Sequence, residues 1–278
     1  MKYLHAVKGS AVAFILFIIA VIFIPGKGAS KEVELILTVS TFLFAILAGF
    51  FISRFNSRHS KIKEYVAAED AFLLSFYRTS LIYGKKFSDK IKELIDKYYI
   101  VSYDFDILFN YKHTEKYLVG IYKELVKNKK YRAQGTYEAM LDQLAAIEEN
   151  RNKSAASSED KISIGQWMIL ITLSGIIIFS LFYIKTSSLH SPIVTILFST
   201  TIILVLLTLR DLQKLRLNGN MLVFESGEQV LESIGKLRYY NQRDLKKGSV
   251  KVPKHIKKYR LGLHKPGEKF NIKIINVK

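Results

Sequence analysis

The side chains that most often carry chemistry are thinly spread through this chain of 278 residues. The absence of cysteine excludes disulfides, thiolate metal sites and cysteine nucleophiles. No histidine stands at the spacing of a metal-ligand set, and no serine lies in a nucleophile-elbow motif. The six histidines are His5, His59, His113, His190, His255 and His264. We therefore predict no metal site, no cofactor and no enzyme activity.

One acidic residue interrupts an otherwise apolar stripe. Large apolar side chains recur at helical spacing at Tyr65, Phe72, Phe76 and Tyr83. Glu69 falls four residues after Tyr65 and three before Phe72, so its carboxylate faces the apolar side. Two interpretations are open. The acid pairs with Arg78 or another base at a helix contact, or it takes part in binding an ion.

The elements that must position these residues are dominated by uncharged stretches. The chain carries 42 Lys and Arg against 24 Asp and Glu, a net charge of +18, yet its mean hydropathy is +0.14. Charge is absent from residues 9–26, 35–52, 162–184 and 186–209. At about 1.5 Å per residue, each stretch can cross a hydrocarbon core about 30 Å thick. We predict an all-α polytopic membrane protein with spans at about 9–26, 33–52, 162–184 and 189–209, which excludes soluble, disulfide-bonded secreted and disordered classes.

Basic residues flank these spans unevenly. If the termini are cytoplasmic, only Lys27, Lys31 and Lys185 lie outside, and every other flanking base lies inside. The positive-inside rule therefore predicts cytoplasmic termini in the cell's inner (plasma) membrane. The first span has a second interpretation as a secretory signal, since Lys2 and Lys8 precede its apolar core.

The remaining sequence divides into two cytoplasmic segments. Between the membrane hairpins at residues 1–52 and 162–209, residues 53–161 are predicted to form a helical domain, and residues 210–278 a basic tail. Helices are expected from Ser88 to about Tyr103, Thr114 to about Lys127, Thr136 to about Ser158 and Met221 to Lys236.

The tail has 17 basic and 6 acidic residues. A nearly unopposed run of bases is the candidate for binding anionic lipid headgroups. Its members are Lys246, Lys247, Lys251, Lys254, Lys257, Lys258 and Arg260. A solvated tail without lipid contact is the alternative. We expect no nucleic-acid binding, because no fold for base contacts is recognisable.

The order of these elements resembles the bestrophin-like family of prokaryotic four-span membrane proteins. The local matches are Tyr137 to Asp142, Arg151, Trp167 at the third span, His190 before the fourth, and Leu209 to Leu212 with Gly219 after it. Lys214 to Leu217 stand where that family has a proline. The resemblance covers about residues 10–220 and leaves the tail unexplained.

The resemblance implies a homo-oligomeric ion channel, a pentamer in bestrophins, whose second span lines a central pore with apolar rings near a Gly-aromatic pair. The similar residues here are Phe42, Ile46 and Phe50, with Gly49 beside the last. They share one helical face at four-residue spacing, and Thr38 would add a hydroxyl at the pore mouth. Packing against lipid or neighbouring helices is the alternative. A second function is also open, that of a membrane-anchored scaffold whose cytoplasmic helices and tail bind partners or lipid.

Overall fold

The structure, a computed structural model, describes residues 5–105, 110–127, 135–188, 190–217, 220–221, 225–248 and 250–277. The helices are α1 (Ala6–Phe23), α2 (Lys31–Ser80), α3 (Lys85–Asp104), α4 (Asn110–Lys127), α5 (Gly135–Ser158), α6 (Ile164–Ile184), α7 (His190–Gln213), α8 (Glu225–Ser233) and α9 (Gln242–Lys247). The strands are β1 (Arg216–Leu217), β2 (Asn220–Met221), β3 (Tyr239–Asn241), β4 (Lys258–Gly262) and β5 (Ile272–Asn276).

Four helices of the described chain are long and apolar enough to cross a membrane, namely α1, the apolar part of α2, α6 and α7. This confirms the predicted all-α polytopic membrane fold. The second span is only the first part of α2, which continues without a break for 50 residues. No proline interrupts it. A 3₁₀ turn at Leu81–Tyr83 and the positive φ of Gly84 (92°) then end this helical run.

The chain divides into two compact units. The first, here called the membrane unit, comprises Met1–Ser57 and Asp160–Asn218 and contains all four spans. The second unit comprises Arg58–Glu159 and Gly219–Lys278, and therefore brings the helical insert and the tail together.

The core of the membrane unit joins one face of α2 to α6 and α7. On α2, Phe44, Ala48, Phe51 and Phe55 are each at most 4% exposed. They belong to one buried cluster with Leu170 and Ile177 of α6 and Ile202 and Leu209 of α7. Burying each large apolar side chain of this kind contributes about 1.5–3 kcal/mol in water, whereas within lipid the same packing acts through close contact.

Helix α1 is held at both ends by charged side chains. At its start, the Ala6 amide donates to Asp211 Oδ2 of α7 at 2.9 Å. At its end, Lys185 Nζ donates to the Val21 and Ile24 carbonyls at 2.6 Å each. Both contacts satisfy backbone groups that a helix leaves unpaired, and each charge opposes the local end of the helix dipole. Gly26 passes so close to Lys185 that a Cβ there would overlap the Lys185 carbonyl.

The second unit has a helical core and a small sheet. Its core includes Leu73 and Phe76 of α2, Ile91 and Ile95 of α3, and Val230 and Leu231 of α8. In the sheet, β3 pairs in parallel with β4, with Tyr239 opposite Arg260, and β4 pairs antiparallel with β5, with Lys258 opposite Asn276. The tail is therefore folded onto the helical insert over its described residues from Glu225 onward.

The helix boundaries move slightly from those predicted. Ser88 and Thr114 lie three and four residues after the starts of α3 and α4, and their hydroxyls donate to the Lys85 and Asn110 carbonyls instead of capping the helices. The predicted helix from Met221 is shorter, since α8 begins at Glu225 and ends at Ser233. Residues 222–224 lie outside the described residues.

Candidate functional site

The exposed face of the second span carries the predicted pore residues. Phe42, Ile46 and Phe50 are 64%, 53% and 60% exposed within this single chain. At about 100° per residue, Phe42 and Ile46 each lie about 160° around the helix from the buried Phe44. Phe50 stands in the same relation to the buried Ala48. The side chains therefore form an apolar stripe, here called the outer stripe of α2, on the side away from the packed core.

The same side of α2 changes character along its length. The Thr38 hydroxyl donates to the Glu34 carbonyl at 2.8 Å, which satisfies its donor within the helix. Gly49, also on this side, has open space around it. Beyond Phe50, small polar residues follow, and Ser53, Asn56 and Ser57 are exposed. A large apolar surface is thus followed by hydroxyl and amide groups.

Glu69 belongs to a buried group of acids and tyrosines in the second unit. It is 7% exposed, and its Oε1 accepts a hydrogen bond from the Tyr98 hydroxyl. The next residue, Asp70, accepts from the Tyr99 hydroxyl at 2.7 Å. Arg78 is exposed, so Tyr98 rather than Arg78 holds the Glu69 carboxyl.

These carboxyls lie well past the membrane-spanning part of α2, and their acidities are shifted. Burial, together with the neighbouring Asp70 charge, raises the pKa of Glu69 to about 8, against the opposing effects of Tyr98 and Arg151. Burial raises the pKa of Asp70 to about 6, against the opposing effects of Ser226 and Tyr99. Glu69 is therefore mostly protonated near neutrality.

Helix α8 of the tail brings a third buried acid. Glu228 is fully buried, and its Oε2 accepts from the Tyr239 amide at 2.9 Å. Burial raises the pKa of Glu228 to about 8, although Tyr239 and the nearby Arg238 and Arg260 act in the opposite direction. Beside it, Gly227 passes close to α3, since a Cβ there would overlap the Tyr103 hydroxyl oxygen.

Asp104, at the end of α3, connects three parts of the tail. Its Oδ1 accepts from the Tyr239 hydroxyl at 3.0 Å and from Asn241 Nδ2 at 2.8 Å. Its Oδ2 lies 2.8 Å from His264 Nε2, and its backbone carbonyl accepts from Arg243 Nη2 at 3.1 Å. Because the Asn271 amide donates to His264 Nδ1, the Nε2 atom is the donor to Asp104. We call this arrangement the Asp104 cluster.

The basic run of the tail divides into free and paired bases. Its six lysines are exposed. Arg260 differs, because its guanidinium pairs with Asp96 at 2.7 Å and donates to the Leu237 carbonyl at 2.8 Å. With 12% of its side chain exposed, Arg260 holds β4 to α3, and its charge is already paired within the protein, unlike those of the six lysines.

Sequence reasoning found Glu69 from its position in an apolar stripe but missed its partners. Asp70 carries the simplest signal, since it adjoins Glu69. The members of the Asp104 cluster carry no signal in the sequence, because residues 104 and 264 meet only in the folded chain. Among the described residues, no group of three or more His, Cys, Asp or Glu is arranged to hold a metal ion.

The profile of the bestrophin-like domain family matches residues 10–214, which is most of the chain and includes all four spans. The chain belongs to the bestrophin-like family. The match ends before the folded tail. A comparison with curated proteins gives no match.

Solved structures of bestrophin homologues share this fold. A single-substitution variant of a bacterial bestrophin homologue from Klebsiella pneumoniae has 13% sequence identity and a TM-score of 0.61, over 83% of this chain and 99% of that one. A second variant from the same organism has 13% identity and a TM-score of 0.55, with the same coverage. A crystal structure described only as a membrane protein has 14% identity and a TM-score of 0.61, covering 83% of this chain and 99% of its own.

Two residues that carried the bestrophin resemblance, Asp211 and Trp167, have structural roles. Asp211 caps α1, as described above. Trp167 Nε1 donates to Gln213 Oε1 at 3.0 Å, which ties the start of α6 to the end of α7. After α7, within the segment Lys214 to Leu217 that departs from the expected proline, Leu215 has a positive φ of 54°, so this turn uses a left-handed residue. Gly219 lies outside the described residues.

Proposed function

We propose that this bestrophin-like protein is a passive ion channel. It assembles as a homo-oligomer, a pentamer by resemblance to bestrophins, in the inner (plasma) membrane with both termini cytoplasmic. The second spans gather around the symmetry axis, and the outer stripe of α2 narrows the pore. The chain is not expected to act as an enzyme.

The observation that carries this proposal is the exposure of the outer stripe in a single chain. Phe42, Ile46 and Phe50 point away from the packed core while Phe44 and Ala48 fill it. The second span can therefore pack within its own subunit and still turn an apolar stripe toward a symmetry axis, where several copies together would form apolar rings. Apolar constrictions of this kind gate water and ions by dewetting.

Two features of the sequence agree with passive rather than coupled transport. No Asp, Glu, Lys or Arg lies within residues 9–26, 35–52, 162–184 or 186–209, which are long enough to form the spans. Coupled transporters, in contrast, usually keep ionisable groups at mid-membrane. In the structure, several hydroxyls of the spans, among them Ser174 and Thr200, donate to carbonyls one turn earlier in their own helices. A single subunit thus offers little polar lining, and a pore between copies supplies the path.

The test is single-channel recording of the purified oligomer in planar bilayers, with Phe42→Ala, Ile46→Ala and Phe50→Ala. Each truncation widens a ring and should raise the conductance. The matched control is Ile15→Ala on α1, where the side chain is 57% exposed and lies outside α2. Absence of current from a folded oligomer, or equal currents in all four variants and the wild type, would reject the proposal. A monomer by native mass spectrometry would reject it as well.

The exposed lysines of the tail favour a second candidate function. Lys246, Lys247, Lys251, Lys254, Lys257 and Lys258 form no ion pair among the described residues. They suit a membrane-anchored scaffold that binds anionic lipid at about 1 kcal/mol per charge near the surface. This function predicts no conductance and a loss of anionic-lipid binding when the six lysines are changed together to glutamine.

A further inference from the structure

A cavity of about 220 Å³ lies in the tail beside the Asp104 cluster. It is formed by the end of β3 with α9 and by the turn that leaves β4. Three of its lining side chains are basic, those of Arg243, Lys246 and Lys265, and none is a carboxylate. The lining therefore favours an anion.

The acids nearest this cavity are already bound within the protein. Asp104 takes hydrogen bonds from the cluster named after it. Asp244 pairs with Arg243 Nε at 3.2 Å, and Glu268 Oε2 accepts from the Lys265 amide at 3.2 Å. Within the described chain, the ammonium groups of Lys246 and Lys265 have no carboxylate partner. These two cations are therefore available to a ligand.

The cavity is also preorganised. The bonds of Arg243 to Asp104 and Asp244 use its Nε and Nη2 atoms, and no acceptor among the described residues takes Nη1. His264 and Asn241 are fixed by the same buried Asp104 carboxylate. Because these groups are held before any ligand arrives, little conformational entropy is lost on binding.

We propose that this cavity binds a phosphate group, carried either by a small soluble phosphomonoester or by the headgroup of a phospholipid such as phosphatidic acid. Arginine donates from a planar fork that suits phosphate oxygens, and lysine adds compact charges. The volume accommodates a phosphate and part of the group attached to it. The site is separate from the pore proposed above and does not depend on it.

Binding is measured with the full-length protein in detergent. Isothermal titration calorimetry with inorganic phosphate tests the soluble source, and native mass spectrometry with phosphatidic acid against phosphatidylcholine tests the lipid source. Binding in either arm supports the proposal and identifies the source. We expect Arg243→Gln and Lys265→Gln each to weaken it roughly tenfold, through loss of a charge-assisted hydrogen bond.

The matched control is Lys273→Gln, since Lys273 is an exposed lysine of β5 that does not line the cavity. Arg243→Gln also removes a contact with Asp104, so weaker binding by that variant could come from altered folding. Lys265→Gln separates the two effects, because the Lys265 ammonium holds no other described element in place. Binding in neither arm would overturn the proposal. Equal weakening by Lys273→Gln and Lys265→Gln would also overturn it, since diffuse surface charge would then explain the affinity.

Discussion

Glu228→Gln should stabilise α8 increasingly as the pH rises. The folded protein holds the proton of this buried carboxyl more tightly than the unfolded chain does, because burial raises its pKa from 4.5 to about 8. Between those values the unfolded state loses the proton first, so the wild-type free energy of unfolding falls as the pH rises. Glutamine keeps an oxygen for the Tyr239 amide and does not ionise, so the variant escapes this loss.

The size of the effect follows from the same shift. Each unit of pKa difference corresponds to about 1.4 kcal/mol, so the variant should gain at most that amount per pH unit between about 4.5 and 8. Its full advantage above pH 8 is limited to about 5 kcal/mol, and relaxation around the charge reduces it. Below about pH 4.5 both proteins carry a neutral side chain, and their stabilities should converge.

Hydrogen exchange measured by mass spectrometry reports this free energy at the amides of α8, after correction for the intrinsic pH dependence of exchange. The control is Glu225→Gln on the same helix. The hydrogen bond from Arg238 lowers the pKa of Glu225. The Glu225 carboxylate therefore stabilises the folded state at neutral pH, and this stabilisation is lost as the pH falls. The two variants should therefore show pH trends of opposite sign. A Glu228→Gln protein with the same pH trend as the wild type would refute the assignment of Glu228 as a buried, protonated acid.

Two further substitutions test close contacts. Gly227→Ala should lower the free energy of unfolding by about 1–3 kcal/mol, because the added Cβ overlaps Tyr103. Thermal unfolding in detergent measures this loss. Gly165→Ala, whose Cβ would meet open space, should leave the stability unchanged, and equal losses in the two variants would contradict the packing. Lys185→Met should lower the free energy of unfolding by about 1–3 kcal/mol for each of the Val21 and Ile24 carbonyls that it leaves without a donor. Hydrogen exchange in α1 should become faster as a result. Unchanged exchange in α1 would contradict this prediction and show that solvent or lipid replaces the lysine.

The membrane spans were predictable because lipid imposes a simple rule. A helix must be long and uncharged to cross a bilayer, and that rule is visible one residue at a time. The helical insert was predictable for a similar reason, since apolar residues recur every three or four positions. The unbroken continuation of α2 through Arg54 and Arg58 was not predictable in this way. The change of charge at these residues is the signal for the edge of a bilayer, and it carries no information about where the helix ends.

The tail shows why the remaining structure was hidden. Strands β3, β4 and β5 have only three to five residues each, and lysines, glycines and prolines lie between them. The parallel pairing of Tyr239 with Arg260 is fixed by distant contacts such as Arg260 to Asp96, not by local propensity. A basic composition therefore described the charge of this segment correctly and gave no indication of its fold.

The Asp104 cluster has a consequence for biosynthesis. Its carboxylate emerges from the ribosome long before its partners, since Tyr239, Asn241 and His264 follow 135, 137 and 160 residues later. Helices α6 and α7 are translated in that interval. Completion of the second unit must therefore wait until the last hairpin has been translated, and until then the Asp104 carboxylate lacks these three partners.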